Sequence, residues 1–193
     1  MKIAIMQPTY LSWQGYFAMI GSVDKFVFLD DVQFERRSWQ VRNKILLNKT
    51  EHLITVSVNK TDRSSLISQI TLNDEQNWRK KHIKTLSIAY KKAPYTEETL
   101  DIISSIITDK SINKLVSLNT SLIMKISYLL GLDCEFEFAS SLNVGGHKSQ
   151  HLLNICNSLD ANTYLSADGS RSYIEQEGHF ADSEVAIQYH NFQ

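Results

Sequence analysis

The segment 26–44, FVFLDDVQFERRSWQVRNK, changes abruptly from an apolar run to a charged one. Residues 26–29 predict a buried strand, and the residues after them carry too much polarity to belong to a core. A tryptophan, guanidinium donors and carboxylates within a few positions suit an anionic ligand with a flat ring. A solvated hairpin, with its arginines paired to Asp30, Asp31 and Glu35, explains the same segment equally well at this point.

The chain around this segment predicts an α/β fold. Residues 2–6 predict a strand, 10–21 a helix with Ser12 as its N-cap, and 26–29 a second, parallel strand after a right-handed crossover. Residues 7–12 and 30–34 then share the carboxyl edge of the sheet and face one crevice, where parallel sheets bind ligands. Further strands are predicted at 52–58, 68–72, 134–139, 163–165 and 185–189, and further helices at 74–93, from 96, at 111–131 and at 148–159.

This pattern predicts one architecture over the whole chain. It has three layers, with a mostly parallel sheet flanked by helices. This is a Rossmann-like architecture of the nucleotidyltransferase-like type. Residues 1–193 form a single domain with a helical subregion at about 74–131, because 193 residues with 42% hydrophobic content can bury one core.

Composition limits the function classes. A formal net charge of −1 gives no bulk attraction to nucleic acid or to an anionic membrane, so neither is expected as a partner. No apolar run reaches membrane-spanning length and the N-terminus lacks a signal-peptide pattern, which predicts a soluble, cytoplasmic protein. Cys134 and Cys156 lie in apolar segments and are expected to be reduced core thiols.

Two further polar clusters follow predicted strands. Gly146 precedes a helix that opens with Lys148 and Ser149, an arrangement that exposes backbone N–H groups to a phosphate or carboxylate. Ser170 and Arg171 follow the strand at 163–165 and could also hold a phosphate. A tight loop and a polar turn explain these clusters without any function. The six histidines are dispersed, with only His147 and His151 at helical spacing, so no metal site is predicted.

Three motifs make the chain recognisable. The segments IAIMQPTYLSWQGYF (3–17), VFLDDVQFERRSWQVRNKI (27–45) and KSQHLLNICNSLDANTYLSADGSRSY (148–173) resemble the WbqC-like family of bacteria. The resemblance implies a role in O-antigen (lipopolysaccharide) or other surface-polysaccharide biosynthesis, with acyl or glycyl transfer to an amino sugar. Ser12 stands where that family usually has proline. The family pattern also continues through a His-Pro-containing segment and a further helix, so a C-terminal part of the site is expected to be absent here.

A second similarity is to nucleotidyltransferase-like α/β proteins, pantothenate synthetase in particular. The layout of VFLDDVQF after a strand, turn and helix is similar to that group, whose members form an acyl adenylate and pass the acyl group to an amine. The turn from Gln7 to Tyr10 lacks the paired histidines that stabilise adenylyl transfer in such enzymes. ATP chemistry is therefore the less favoured interpretation.

The resulting hypothesis is a transferase that forms an amide on the amino group of a nucleotide-linked amino sugar. Its alternatives are an ATP-dependent nucleotidyltransferase or adenylating ligase, and a non-catalytic protein that binds a sugar nucleotide or a partner. The donor is left open between ATP chemistry and an acyl-coenzyme A or carrier-protein donor, and a homo-oligomer is left open too. The predicted catalytic residues are Asp30, Asp31 and Gln7. The predicted substrate-binding residues are Thr9, Tyr10, Trp13, Gln33, Arg36, Arg37, Trp39, Arg42, Asn43 and Lys44, and the predicted phosphate-binding residues are Gly146, Lys148, Ser149, Ser170 and Arg171.

Overall fold

The computed structural model describes residues 1–192, which divide into two compact units. Unit 1 comprises Met1–Gln7, Trp13–Asp31 and the chain from Ser127 onward. Unit 2 comprises Pro8–Ser12 and Val32–Ile126. That the whole chain folds as a single domain stays a prediction.

Unit 1 is built on a five-stranded sheet in which every pair of neighbours is parallel. Its strands are β1 (Lys2–Met6), β2 (Lys25–Phe28), β5 (Glu135–Phe138), β6 (Thr163–Ala167) and β7 (Ala186–His190), in the spatial order β5-β2-β1-β6-β7. Counted along the chain, this is the order 3-2-1-4-5 found in dinucleotide-binding folds, with its switch point between β1 and β6. The central strands β1, β2 and β6 are mostly buried, as expected for strands covered on both faces, whereas the edge strands β5 and β7 are partly exposed.

The helices of unit 1 alternate with these strands. They are α1 (Gln14–Ile20), α5 (Ala139–Leu142), α6 (Lys148–Ser158) and α7 (Arg171–Glu177). Side chains of β1, β2 and β6 pack with α6 and α7 in one buried cluster that includes Ile3, Val27, Ile155, Tyr164 and Ile174. The alternation of strand and helix confirms the predicted Rossmann-like α/β class.

Unit 2 contains an antiparallel hairpin and most of three helices. The hairpin pairs β3 (Arg42–Leu47) with β4 (Thr50–Thr55). The helices are α2 (Trp78–Tyr90), α3 (Thr96–Ile107) and α4 (Leu115–Leu129). The last residues of α4 belong to unit 1. The buried Arg79 of α2 holds the connection between α3 and α4. It donates to Asp74 and to the carbonyls of Ile107, Asp109 and Ile112 at 2.7–2.9 Å.

Three local predictions need correction. The strand predicted at 68–72 is wrong: Ile67–Gln69 form a short 3₁₀ helix, and Thr71 and Leu72 make only isolated bridges. The strand predicted at 52–58 is β4, which pairs in the hairpin and does not extend the parallel sheet. Helix α1 begins at Gln14 and makes no side-chain cap hydrogen bond, so Ser12 is not its N-cap. Within residues 1–192, no helix has the length and apolarity needed to cross a membrane.

Candidate functional site

The carboxyl edge of the parallel sheet carries the polar residues of unit 1 that sequence analysis selected. Gln7 follows β1 and is exposed, while Asp30 and Asp31 come shortly after β2. Because β1 and β2 are neighbouring parallel strands, their carboxyl ends lie at the same edge. Tyr16 of α1 donates its hydroxyl to the carbonyl of Gln7 at 3.2 Å. The expectation that these two strand ends share an edge is confirmed.

Asp31 forms an ion pair with His151 of α6. Both carboxylate oxygens lie 3.1 Å from His151 Nε2, and the side chains are 18% and 8% exposed. The other ring nitrogen, Nδ1, lies 3.2 Å from the carbonyl oxygen of Gly145. A carbonyl and an ionised carboxylate can only accept, so this arrangement favours the doubly protonated ring, in which both nitrogens donate. The hydrogen bond to Asp31 accordingly raises the pKa of His151, against the lowering effect of burial.

The loop before α6 contacts His151 closely through its backbone. Gly146 has φ +118°, a conformation that L side chains rarely adopt, and an added Cβ would meet the backbone N and Cα of His151 at 3.0 Å. Asn154 Nδ2 donates to the same Gly145 carbonyl at 2.8 Å. A glycine at position 146 therefore lets this loop lie close to the first turns of α6. This structural role accounts for Gly146 without any bound phosphate.

Asp30 has a different set of partners from its neighbour. It is 2% exposed, and its two oxygens accept from the backbone N–H and the hydroxyl of Ser140, at 3.0 and 2.7 Å. Ser140 lies in the first turn of α5, so Asp30 supplies that turn with an acceptor for an otherwise unpaired N–H. Of the two aspartates, Asp31 is the one whose carboxylate is partly open to solvent.

A carboxylate of the chain itself occupies the predicted phosphate position at the start of α6. Glu177 Oε2 accepts from the backbone N–H and the hydroxyl of Ser149, at 3.0 and 2.6 Å, and Lys148 Nζ lies 3.1 Å from Oε1. The hydrogen bonds from Ser149 lower the pKa of Glu177 to about 2. His179 Nδ1 lies 2.8 Å from the Ser149 hydroxyl. A phosphate at Ser149 would have to displace Glu177, so the phosphate role of Lys148 and Ser149 stays a prediction.

The cluster after β6 is held by local ion pairs. Arg171 donates from Nε and Nη2 to one oxygen of Asp168 at 3.0 and 2.8 Å, and its guanidinium lies over the Tyr189 ring, 3.9 Å from the centroid. The ion pair raises the pKa of Arg171 further. Ser170 precedes α7 in the same turn. These contacts fix the guanidinium, and its binding to phosphate stays a prediction.

In unit 2, Tyr10 lies in the core. Its ring is fully buried, and its hydroxyl lies 2.9 Å from Nδ1 of His82, which is itself buried. Burial raises the pKa of the Tyr10 hydroxyl and lowers that of His82 to about 4, so both groups are neutral at neutral pH. Thr9 Oγ1 lies 2.7 Å from Ser12 Oγ. A buried ring has no face for a ligand, which leaves Trp39 as the candidate for stacking.

The remaining predicted binding residues of unit 2 lie around the hairpin and are mostly exposed. Trp39 is 52% exposed, and Arg36 and Gln33 donate to the carbonyls of Asn59 and Arg63 at 3.2 and 2.8 Å. Arg42 donates a hydrogen bond to the Arg37 carbonyl, and Asn43 donates to the Tyr10 and Leu11 carbonyls. Lys44 forms an ion pair with Glu51. Trp13 belongs to unit 1, is 51% exposed and packs edge-on against Phe192 at 5.3 Å. Their roles in binding stay predictions.

Sequence analysis missed four residues that the structure places with the predicted ones. They are His151, the partner of Asp31; Ser140, the partner of Asp30; and Glu177 and His179, the partners of Ser149. His151 had a detectable signal, because it lies on the second turn of a helix that starts at the carboxyl edge. Its helical spacing to His147 drew attention only to metal binding. The other three carry no local pattern.

These features define a Rossmann-like α/β protein with an aspartate–histidine pair at the carboxyl edge of its parallel sheet. The family model of the WbqC-like protein family matches residues 7–193, and the chain belongs to that family. It is also similar to the uncharacterized protein Rv1507c of Mycobacterium tuberculosis, with 31% identity over 175 residues, which is 91% of this chain and 76% of that protein. No solved structure matches the chain significantly.

Proposed function

We propose that this protein is a transferase that forms an amide on the amino group of a nucleotide-linked amino sugar, in the biosynthesis of O-antigen or another surface polysaccharide. The observation that carries the proposal is the Asp31–His151 pair at the carboxyl edge of unit 1. Membership of the WbqC-like family supports it, because the motifs shared with that family imply acyl or glycyl transfer to an amino sugar.

The chemistry requires a proton acceptor. The amine nitrogen attacks the acyl carbon, the C–N bond forms, the bond to the donor's leaving group breaks, and one proton must move from nitrogen to the leaving group. Asp31 is the acceptor in this proposal, because its carboxylate is 18% exposed and follows β2 at the carboxyl edge of the sheet. His151 is a positioning residue that holds the carboxylate in place through Nε2–H. Gln7, at the neighbouring strand end, would orient the acyl donor.

The test combines binding and turnover. The protein is first screened by thermal shift against UDP-, GDP- and dTDP-amino sugars, since a ligand that binds only the folded state raises its stability. The sugars that shift the transition are then incubated with acetyl-coenzyme A, or with glycine and ATP, and the products are weighed by mass spectrometry. A new mass equal to the sugar plus the acyl group is expected.

The decisive variant is Asp31→Asn. It should retain the thermal shift with the sugar nucleotide while its turnover falls about 100-fold or more, the usual contribution of a general base. Asp182→Asn is the matched control, because Asp182 is an exposed aspartate of the same unit. Turnover that survives in Asp31→Asn would remove Asp31 as the proton acceptor. Substitution of Arg36, Arg37 or Arg42 tests the predicted substrate-binding roles of these residues separately, through the binding shift alone.

A second candidate is an ATP-dependent nucleotidyltransferase or adenylating ligase. The strand order 3-2-1-4-5 favours it, because sheets of this order bind nucleotides at the switch point between the central strands. Release of pyrophosphate on mixing with ATP and the acyl acid identifies this reaction. A thermal shift with a sugar nucleotide, without product from any donor, identifies instead a non-catalytic binding protein.

A further inference from the structure

Unit 2 contains a cavity of about 270 Å³, and two of the predicted substrate-binding residues, Asn43 and Lys44, lie on its lining. It lies among the helices α2, α3 and α4 and the strand β3, with two loops at its border. An apolar protein cavity of roughly 150 Å³ is enough to bind benzene. The volume is therefore sufficient for a small organic ligand.

The walls of the cavity are mainly aliphatic. The aliphatic side chains that line it are Leu11, Ile45, Leu86, Leu100, Ile103 and Ile126. Tyr90 is the aromatic residue on its lining. Branched aliphatic walls exclude water and take up apolar surface, and they offer few aromatic faces on which a ring could stack. The lining favours an aliphatic chain.

One cation lies on the lining. Lys44 is half-exposed, and its ammonium is 2.7 Å from Glu51, a carboxylate with a side-chain exposure of 71%. An ion pair between two exposed groups is weak, because water screens it. The ammonium is thus available to an anionic head group at the border of the cavity without a large loss elsewhere.

Both bordering loops contain a non-glycine residue in the left-handed region. Leu11, on the lining, has φ +48°, and Tyr95, between the lining residues Pro94 and Thr96, has φ +59°. Such residues are uncommon and are found preferentially at ligand-binding positions. Asn43 Nδ2 donates to the carbonyl of Leu11 and so holds that loop in its conformation.

We propose that this cavity binds an aliphatic acyl chain with an anionic head group, the chain lying among the aliphatic side chains and the head group meeting Lys44. The inference does not rest on the proposed transfer reaction, since it concerns binding alone. It assigns to unit 2 a ligand that the sugar-nucleotide hypothesis does not require.

The unmodified protein provides the first test. Titration calorimetry with hexanoate, heptanoate and octanoate should give a dissociation constant that falls about fourfold with each added methylene, the increment expected for burying one CH₂ group. The tightening should stop at the chain length that fills the cavity. Octylamine, with the same chain and a cationic head group, should bind more weakly than octanoate. Absence of binding by every carboxylate, or affinity that does not change with chain length, would overturn the proposal.

Three variants localise the binding. Ile103→Trp fills the cavity from α3 and should reduce octanoate affinity at least tenfold. Ile88→Trp makes the same substitution at an α2 position that is 53% exposed and should bind like the unmodified protein. Lys44→Gln should remove the preference for octanoate over octylamine. Equal octanoate affinity in the Ile103→Trp and unmodified proteins would place the ligand elsewhere, and a preference kept by Lys44→Gln would refute the head-group assignment.

Discussion

The Asp31–His151 pair predicts a pH-dependent difference in stability between the natural protein and the variant Asp31→Asn. An asparagine side chain is nearly the same size and its oxygen can still accept from Nε2–H, so the substitution removes charge and keeps the contact. The pair is one charge-assisted hydrogen bond between side chains that are 8% and 18% exposed. A bond of this kind contributes about 1.5–3 kcal/mol to the free energy of unfolding.

The sign of the pH dependence follows from the direction of the pKa shift. Because the pKa of His151 is raised in the folded protein above its ordinary value of 6.5, the stabilisation is complete below that value. It is lost as the pH rises through the folded-state pKa. In Asp31→Asn the anion that causes most of this shift is gone. The variant exchanges a charge-assisted hydrogen bond for a weaker one and should therefore be less stable by about 1–1.5 kcal/mol near pH 5.5, and the difference should shrink towards pH 9.

Urea unfolding followed by circular dichroism, at several pH values across this range, measures the difference. Asp182→Asn is the control for loss of an aspartate charge and should leave the pH dependence unchanged. In the background of His151→Asn, which removes the titrating ring, Asp31→Asn should cost a pH-independent amount. A constant difference between Asp31→Asn and the natural protein across the range would refute an imidazolium at His151.

Two further substitutions test the packing around the cavity and the candidate site. Arg79→Met should lower the free energy of unfolding by about 3–5 kcal/mol, because it leaves Asp74 and three carbonyls without their donor. Thermal unfolding measures this loss. A loss below about 1 kcal/mol would contradict the role of Arg79. Gly146→Ala should lower it by about 1–3 kcal/mol, because φ +118° is strained for alanine and the new Cβ would meet the His151 backbone at 3.0 Å. Unchanged stability in Gly146→Ala would show that the loop relaxes freely.

The parallel sheet was predictable because its strands are short apolar or alternating runs, separated by segments with helical periodicity. Such a pattern depends only on neighbours in sequence, which is why β1, β2, β5, β6 and β7 were all anticipated to within a few residues. The hairpin partner β3 was not, because RNKILL follows a charged segment and alternates weakly. Alternation in β4 indicated a strand but carried no information about which sheet it joins.

The candidate site was only half predictable for a related reason. Asp31 was selected because a carboxylate directly after a buried strand lies at the binding edge of a parallel sheet. Its partner His151 is 120 residues away along the chain, and only the fold brings them together. Glu177 shows a different limit: the start of α6 was predicted to bind a ligand's phosphate, and the structure places a carboxylate of the chain itself at Ser149. Whether a ligand also binds there stays a prediction.

The two neighbouring aspartates show how backbone geometry assigns roles that composition cannot. The chain turns directly after β2, where the Asp30 N–H donates to the Phe28 carbonyl at 3.0 Å, and the two carboxylates have different partners. Asp30 has both oxygens engaged by Ser140 and is almost fully buried, which commits it to holding the turn into α5. Asp31 pairs with His151 and keeps part of its surface open. A substitution at Asp30 should therefore act first on folding, and one at Asp31 first on chemistry, even though the two residues are adjacent and identical.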